Sequence, residues 1–370
     1  MQKLKVIQVN SMLNGGGTDN QTLELTAGLR DLGHHVTLAF TAGNGWESRA
    51  HTLRVPLEIW PSVGPFKLKM IGQLARFIRK NQVDIVHAHQ GRDYWPTILA
   101  ARLSGSRAHA VISRHLMTPP RKFSRLMLLS MCHVVAVSAA VKNVLKEHLM
   151  GPQTKLHQIY GGIDLERFET TRSPAAWEFR RKHGWETEHI VFGVVGTLHL
   201  PRGKGQFEFL AAAAQIKKLV PNARFTLIGR GGMETHLQKR IEELGLGEVA
   251  SLIPFTEQIP IAMSALDVLA LPAVTGEALG LVLWEAMASQ KPIIASRLHG
   301  IPEAFVADEH GFLVEPGNVD ELTQAMHRML LDPGLRNKFG VAGREHVLQN
   351  FSRQKHAERM VALYRTIVTS

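Results

Sequence analysis

Residues 5–40, KVIQVNSMLNGGGTDNQTLELTAGLRDLGHHVTLAF, read as strand, glycine loop, helix and strand in succession. Lys5–Asn10 is a β-branched run, and the loop Asn14-Gly15-Gly16-Gly17 follows it. Thr18 is placed to cap a helix that runs to Leu32 and stops at Gly33, before a second strand Val36–Phe40. A strand, a crossover helix and a strand of this length form one parallel βαβ unit. The same alternation continues outward. Strands are predicted at Asp84–His89, Ala108–Ser113 and His133–Ser138, the last with Ser138 capping the next helix. Residues 161–176, GGIDLERFETTRSPAA, interrupt the alternation with glycines, charges and a proline, so a domain boundary is expected there. A second series follows, with strands near Ile190–Gly196, Arg224–Ile228, Ser251–Pro254, Val268–Leu271 and Pro292–Ala295. The expected fold class is α/β: two Rossmann-like doubly wound domains, 1–168 and 175–345, facing across a cleft. Residues 346–370 form a helical segment expected to cross back to the first domain. Ala357, Met360, Val361, Tyr364 and Ile367 recur there at helical spacing and need a surface to bury against.

With 370 residues, 45% hydrophobic and 20% charged, the composition is globular and excludes disorder as the main state. The single cysteine, Cys132, excludes an internal disulfide framework and fits a reducing compartment. No apolar run reaches the roughly 18 residues of a spanning helix, and MQKLKVIQVN leads straight into strand pattern. A cytoplasmic protein without a cleaved signal is therefore expected. The net charge of +11 is unevenly placed: residues 1–173 carry 22 Lys and Arg against 11 Asp and Glu, whereas 174–370 carry 21 of each. Such a first half calls for an anionic partner: nucleic acid, a membrane surface or an acidic substrate. Aromatic residues are only 6%, with no interleaved stacking platform, which argues against nucleic acid.

Ligands of doubly wound sheets bind outside the carboxyl ends of the strands, so the loops there were read for chemistry. Gly15-Gly16-Gly17 would let backbone approach a ligand at a helix N-terminus, where an anion is favoured; a tight strand-to-helix turn is the other reading. Pro201-Arg202-Gly203-Lys204-Gly205 follows the strand that opens the second half. Arginine offers a bidentate fork and lysine a point charge, which together suit a diphosphate; a solvated basic loop is the alternative. Glu277-Ala-Leu-Gly-Leu-Val-Leu-Trp-Glu285 places one carboxylate just before an apolar helix and one inside it. A buried Glu285 would need hydrogen-bond donors such as ligand hydroxyls, and amides near Leu279, Gly280 and Leu281 would suit a phosphate. His87, His89 and His115 lie at or just past strand ends. They lack the matching carboxylates or cysteines of a metal site, and there is no D-x-D triplet.

With these motifs in hand, the sequence resembles the family-4 retaining glycosyltransferases of the GT-B fold, of bacterial envelope glycan or lipopolysaccharide type. The resemblance covers nearly the whole chain. It rests on the glycine loop, Ile112-Ser113-Arg114-His115, Ala136-Val137-Ser138 before a helix, GGIDLERF at the boundary, the Arg202/Lys204 loop, and Glu277 with Glu285 as the family's E-x7-E pair. It implies transfer of a sugar from a nucleotide-diphosphate donor, UDP or GDP, with retention and without a bound metal or other cofactor. It also implies roles. Arg202 and Lys204 would bind the donor diphosphate and stabilise the leaving charge. Glu285 would hold the ribose hydroxyls. Glu277 would lie beside the donor sugar, with Leu279, Gly280 and Leu281 amides near sugar or phosphate. Gly16 and Gly17 would approach the diphosphate, and His115 would contact the transferred sugar. No nucleophile is evident, so a front-face displacement in which the leaving phosphate helps deprotonate the acceptor is the implied mechanism.

Three positions depart from the family pattern: Gly161 where asparagine is usual, Gly196-Thr197 where Gly-Arg is usual, and Glu277-Ala-Leu-Gly for Glu-Ser/Gly-Phe-Gly. The alternatives are a nucleotide-sugar epimerase or another GT-B enzyme such as a phosphorylase. The expected acceptor is a glycan or lipid-linked molecule. Residues 64–82 and 119–131 set cations beside apolar groups, which predicts peripheral binding to an anionic membrane on its cytoplasmic face.

Overall fold

A computed structural model describes residues 2–13, 15–41, 47–60, 67–168, 172–199 and 203–370. The chain divides into two compact units, Met1–Ile163 with Phe351–Ser370, and Asp164–Asn350. The division thus falls five residues before the expected end of the first domain, and residues 346–350 remain with the second unit.

Unit 1 is built on seven strands: β1 Lys5–Val9, β2 His35–Thr41, β3 Leu57–Trp60, β4 Ile85–Ala88, β5 His109–Arg114, β6 His133–Ala136 and β7 Leu156–Gln158. All pair in parallel, in the order β3-β2-β1-β4-β5-β6-β7. Its helices are α1 Gly17–Asp31, α2 Glu47–Thr52, α3 Lys67–Asn81, α4 Tyr94–Leu103, α5 Lys122–Met131 and α6 Ala139–His148. Helix α1 begins two residues earlier than predicted. Gly16 is its N-cap, and no side chain caps it; Thr18 instead accepts from Thr22 Oγ1 through its carbonyl, at 2.9 Å. Ser138 does cap α6, accepting from Val141 N at 3.1 Å. The short strands β3 and β7 went unread in the sequence.

Unit 2 holds α7 Pro174–Lys182, β8 Ile190–Leu198, α8 Gln206–Lys217, β9 Ala223–Gly231, α9 Glu234–Glu243, β10 Ala250–Pro254, α10 Ile259–Ala265 and β11 Val268–Leu271. It continues through α11 Leu281–Ala288, β12 Ile293–Ser296, β13 Gly311–Val314, α12 Val319–Leu331 and α13 Pro333–Asn350. The sheet order is β10-β9-β8-β11-β12-β13, again all parallel. One face of the sheet joins Phe192, Phe225 and Phe312 with Phe209, Phe339 and aliphatics of α8, α9 and α12. On the alternate strand positions Val191, Leu269, Leu271 and Ile293 are buried as well, as a parallel sheet covered on both sides requires. At the amino edge of this sheet, Arg180 is fully buried. It donates to the carbonyls of Ala265, Glu186 and His189 and to Asp267, so its charge is solvated entirely by protein.

The last helix, α14 Arg353–Thr369, packs within unit 1. Ala357, Met360, Val361, Tyr364 and Ile367 enter the core with Val6, Leu25, Ile85 and Val135. Contact with α1 is close enough that a Cβ at Gly28 would lie 2.9 Å from that of Ala357. Glu24, 1% exposed, accepts from Arg353 Nε at 2.6 Å and Arg49 Nη2 at 2.8 Å. The Gly161 departure has a local reason: Gln21 clamps Gly162 with two hydrogen bonds, and a side chain at 161 would overlap Gln21.

Candidate donor site and histidine cluster

In unit 2 the strand order reverses between β8 and β11, and the loops leaving both strands meet there. Gly205 (φ +78°) abuts the Pro272 carbonyl so closely that a Cβ would overlap it. Gln206, 1% exposed, fixes the first loop by accepting from Lys204 N at 2.7 Å and donating to Thr197 O at 3.1 Å. The Lys204 stem lies along Gly196, whose would-be Cβ sits 3.3 Å from Lys204 Cγ. Lys204 Nζ is thereby brought to Glu277, and the two side chains form an ion pair. Glu277 Oε1 also accepts from Gly280 N at 3.2 Å. Gly280 adopts φ +81°, and a Cβ there would lie 2.9 Å from Leu271 Cδ2, so this turn into α11 is built for glycine. Lys204, Glu277, Leu279, Gly280 and Leu281 thus gather around the start of α11, where the amides carry partial positive charge. Glu285 lies one turn further along and is half-buried, not buried as its apolar neighbours predicted. Arg202 lies outside the described residues. Sequence reasoning missed Gln206, because a glutamine opening a helix reads the same whether it faces solvent or a loop.

In unit 1 the glycine loop is held by Asp19, 4% exposed, which accepts from Gly15 N at 3.0 Å, Asn10 Nδ2 at 2.8 Å and Gln90 Nε2 at 2.9 Å. A Cβ added at Gly16 would meet nothing within 4 Å, so the protein's own packing does not require glycine there. Beside this loop, β4 and β5 deliver His87, His89 and His115, with His87–His89 ring centroids 4.3 Å apart and His89–His115 5.9 Å. The hydrogen bonds fix a direction. Gln8 Nε2 donates to Tyr364 Oη at 3.3 Å, and Gln8 Oε1 accepts from His89 Nε2 at 2.6 Å. The tyrosine hydroxyl is then the donor to His87 Nδ1 at 2.6 Å, which leaves His87 Nε2 to donate to Ser113 Oγ at 2.8 Å. His89 Nδ1 and His115 Nε2 are buried without a hydrogen-bond partner among the described residues. Among the described residues, no three His, Cys, Asp or Glu gather as a metal site.

Burial holds these rings neutral. It pushes His115 down to about 4 and His356 to about 3, and holds His87 and His89 well below the usual histidine range. The unfolded chain therefore binds more protons than the folded one once the pH drops under about 6.5. Stability should be fully present above that pH and fall between 6.5 and 4, by about 1.4 kcal/mol per pH unit for each ring kept neutral. Denaturant midpoints from pH 7.5 to 4.5 check this; a flat profile would contradict the buried neutral cluster.

The family model for group 1 glycosyl transferases matches residues 175–346, and that for glycosyltransferase family 4 matches residues 15–167. The chain carries both glycosyltransferase domains, one after the other. A relative from Mycolicibacterium smegmatis, a GDP-mannose-dependent α-(1-6)-phosphatidylinositol monomannoside mannosyltransferase, is 30% identical over 58% of this chain. The matched stretch spans 57% of that relative's own length. An Escherichia coli UDP-Gal:α-D-GlcNAc-diphosphoundecaprenol α-1,3-galactosyltransferase is 26% identical over 82% of this chain and 80% of its own. Among solved structures, a glycosyltransferase from Rickettsia africae ESF-5 superposes with a TM-score of 0.88 at 22% identity, covering both chains fully. The fold is GT-B: each unit holds one Rossmann-like sheet.

Proposed function

We propose that this glycosyltransferase moves a sugar from a nucleotide-diphosphate donor to a glycan or lipid-linked acceptor, with retention of configuration and without a bound metal. The Lys204–Glu277 pair at the start of α11 carries the reading. Departure of the nucleotide diphosphate is the costly event, and fixed positive groups aimed at the developing charge lower its barrier. Lys204, the α11 amides and Arg202 are the groups in this chain suited to that task. Glu277, already aligned on Lys204, would orient the sugar, and Glu285 would take the ribose hydroxyls. His115 Nε2 is free to engage a sugar hydroxyl. Gly16, with open space where a side chain would stand, fits a loop that a ligand approaches closely. Relatives named for GDP-mannose and for UDP-Gal support guanosine or uridine diphosphate as the nucleotide. The same two names, one a phosphatidylinositol mannoside and one a diphosphoundecaprenol, support a lipid-linked acceptor and a place in envelope glycan or lipopolysaccharide synthesis. Thermal stabilisation by UDP or GDP but not by NAD, together with slow hydrolysis of one nucleotide sugar from a panel, is the expected result. No stabilisation by any nucleoside diphosphate would sink the reading.

A lipid-linked acceptor would be met at a membrane surface, and unit 1 has a surface for it. On α5, Phe123 and Leu126 are 60% and 53% exposed, beside Arg121, Lys122 and Arg125. On α3, Leu68 is exposed with Lys69, Arg76 and Lys80; residues 64–66 of the expected segment lie outside the described residues. Among the described residues no helix is long and apolar enough to cross a membrane. Each cation near an anionic leaflet contributes about 1 kcal/mol, and apolar insertion adds to it. Co-sedimentation with anionic but not neutral vesicles, lost at high salt and weakened in Phe123→Ser/Leu126→Ser, is expected. Equal, negligible binding to both at low salt would leave the basic half without this role.

A further inference from the structure

At the opposite, amino edge of the unit 1 sheet, a cavity of about 290 Å³ opens where β5, β6 and β7 begin and α4 and α5 end. Its polar lining comes from Arg102, Ser106, His109, Cys132, His133 and Lys155. None of the lining residues is acidic. Among the described residues neither Arg102 nor Lys155 pairs with a carboxylate. Asp84 acts on His109 but already accepts from Lys5 N at 2.8 Å. The carboxyl ends of α4 and α5 offer partial negative charge, which offsets only part of two full cations.

Two imidazoles meet at this edge. His133 Nδ1 and His157 Nε2 lie 3.1 Å apart with stacked rings, a contact in which one ring donates and the other accepts. Burial, His157, Lys155 and His109 together push His133 down to about 4, while burial and Lys142 lower His157. The Cys132 thiol is pushed up to about 12 by burial, so it offers no thiolate and the cavity is not a nucleophile's pocket. What this lining lacks is an anion.

We propose that the cavity is a binding site for a phosphate-bearing small molecule or headgroup, separate from the donor site in unit 2. Arg102 supplies a guanidinium fork, Lys155 a point charge and Ser106 a hydroxyl, the donor set that phosphate oxygens accept from. Ile98, Ala101 and Met131 line the remainder, giving apolar room for the group that bears the phosphate. An anion there would favour the protonated imidazoles, so binding should take up protons and tighten as the pH falls.

Titrating inorganic phosphate and sulfate into the full chain by calorimetry tests this, with histidine ring resonances followed in parallel. Sulfate keeps its charge between pH 6 and 8, so its affinity isolates the protein's protons; it should be several-fold tighter at pH 6. Arg102→Ala and Lys155→Ala, at exposed and half-buried positions, should each weaken both anions by roughly tenfold. Lys239→Ala, at an exposed lysine of unit 2, should leave them unchanged. Glycerol 3-phosphate and phosphatidic-acid vesicles then separate the sources: binding of the first assigns a soluble ligand, and binding of the second alone assigns a lipid headgroup if it is weakened by Arg102→Ala/Lys155→Ala in the Phe123→Ser/Leu126→Ser background. The proposal is overturned if neither anion binds at millimolar concentration, or if both bind Arg102→Ala/Lys155→Ala as they bind wild type. An equal loss of binding in Lys239→Ala would overturn it too, by making the effect one of net charge and not of this cavity.

Discussion

Lys204→Ala is expected to lower kcat/KM by about 10²- to 10³-fold, the scale on which a fixed donor stabilises a developing charge. The lysine is 22% exposed and its loop is held by other contacts: Gln206 bonds both Lys204 N and Thr197 O, and Gly205 packs on Pro272. Removing the ammonium therefore leaves the loop's backbone in place. Glu277 loses one partner but keeps the Gly280 amide. An ion pair with both members partly exposed contributes little stability, about 1 kcal/mol or less, so melting should barely move. Glu285→Ala makes the useful contrast. A carboxylate that binds the nucleotide equally in ground and transition states should raise donor KM with kcat largely kept. Wild-type turnover of Lys204→Ala at saturating donor would detach the lysine from the leaving diphosphate.

How far the sequence could carry these statements depends on how local the cause is. Residues 5–40 revealed a parallel α/β chain, because strand, glycine loop and helix each have short-range signatures. Strands β3, β7 and β13 are less legible for a local reason too: Glu58, His157-Gln158 and the opening Gly311 break up runs that in the equally short β11 and β12 are nearly all apolar. Thr18 was read as the cap since hydroxyls usually serve there, yet the buried Asp19 organises the loop instead, through partners as distant as Gln90. Lys204 and Glu277 could be picked out by type and position, but not their pairing, which depends on where the strand order reverses. The bond from Tyr364 to His87 links residues 277 apart in sequence, and only the docking of α14 reveals it. Glu285 illustrates the opposite error. Its apolar neighbours on α11 face the core, while the helix turns the carboxylate partly outward.

Gly205→Ala should be the most damaging small substitution in the donor site. At φ +78° an L-residue costs about 1–2 kcal/mol, and its Cβ would also overlap the Pro272 carbonyl. A backbone carbonyl on a loop fixed at both ends cannot rotate aside like a side chain, so the two loops must separate. Forced overpacking adds about 1–3 kcal/mol, for a total near 3 kcal/mol. Separation also carries Lys204 away from Glu277, so turnover should collapse even at temperatures where the variant is folded. Gly16→Ala is the control from the other glycine loop. Its φ is −133°, an ordinary extended value, and its added methyl meets nothing within 4 Å. Glycine is preferred over alanine at an N-cap, so stability should fall by no more than about 1 kcal/mol. Any loss of activity in Gly16→Ala would then report on a ligand that needs the space, whereas loss in Gly205→Ala reports on the junction of two loops. A Gly205→Ala variant that melts and turns over like wild type would mean that the β8 and β11 loops do not meet at Pro272.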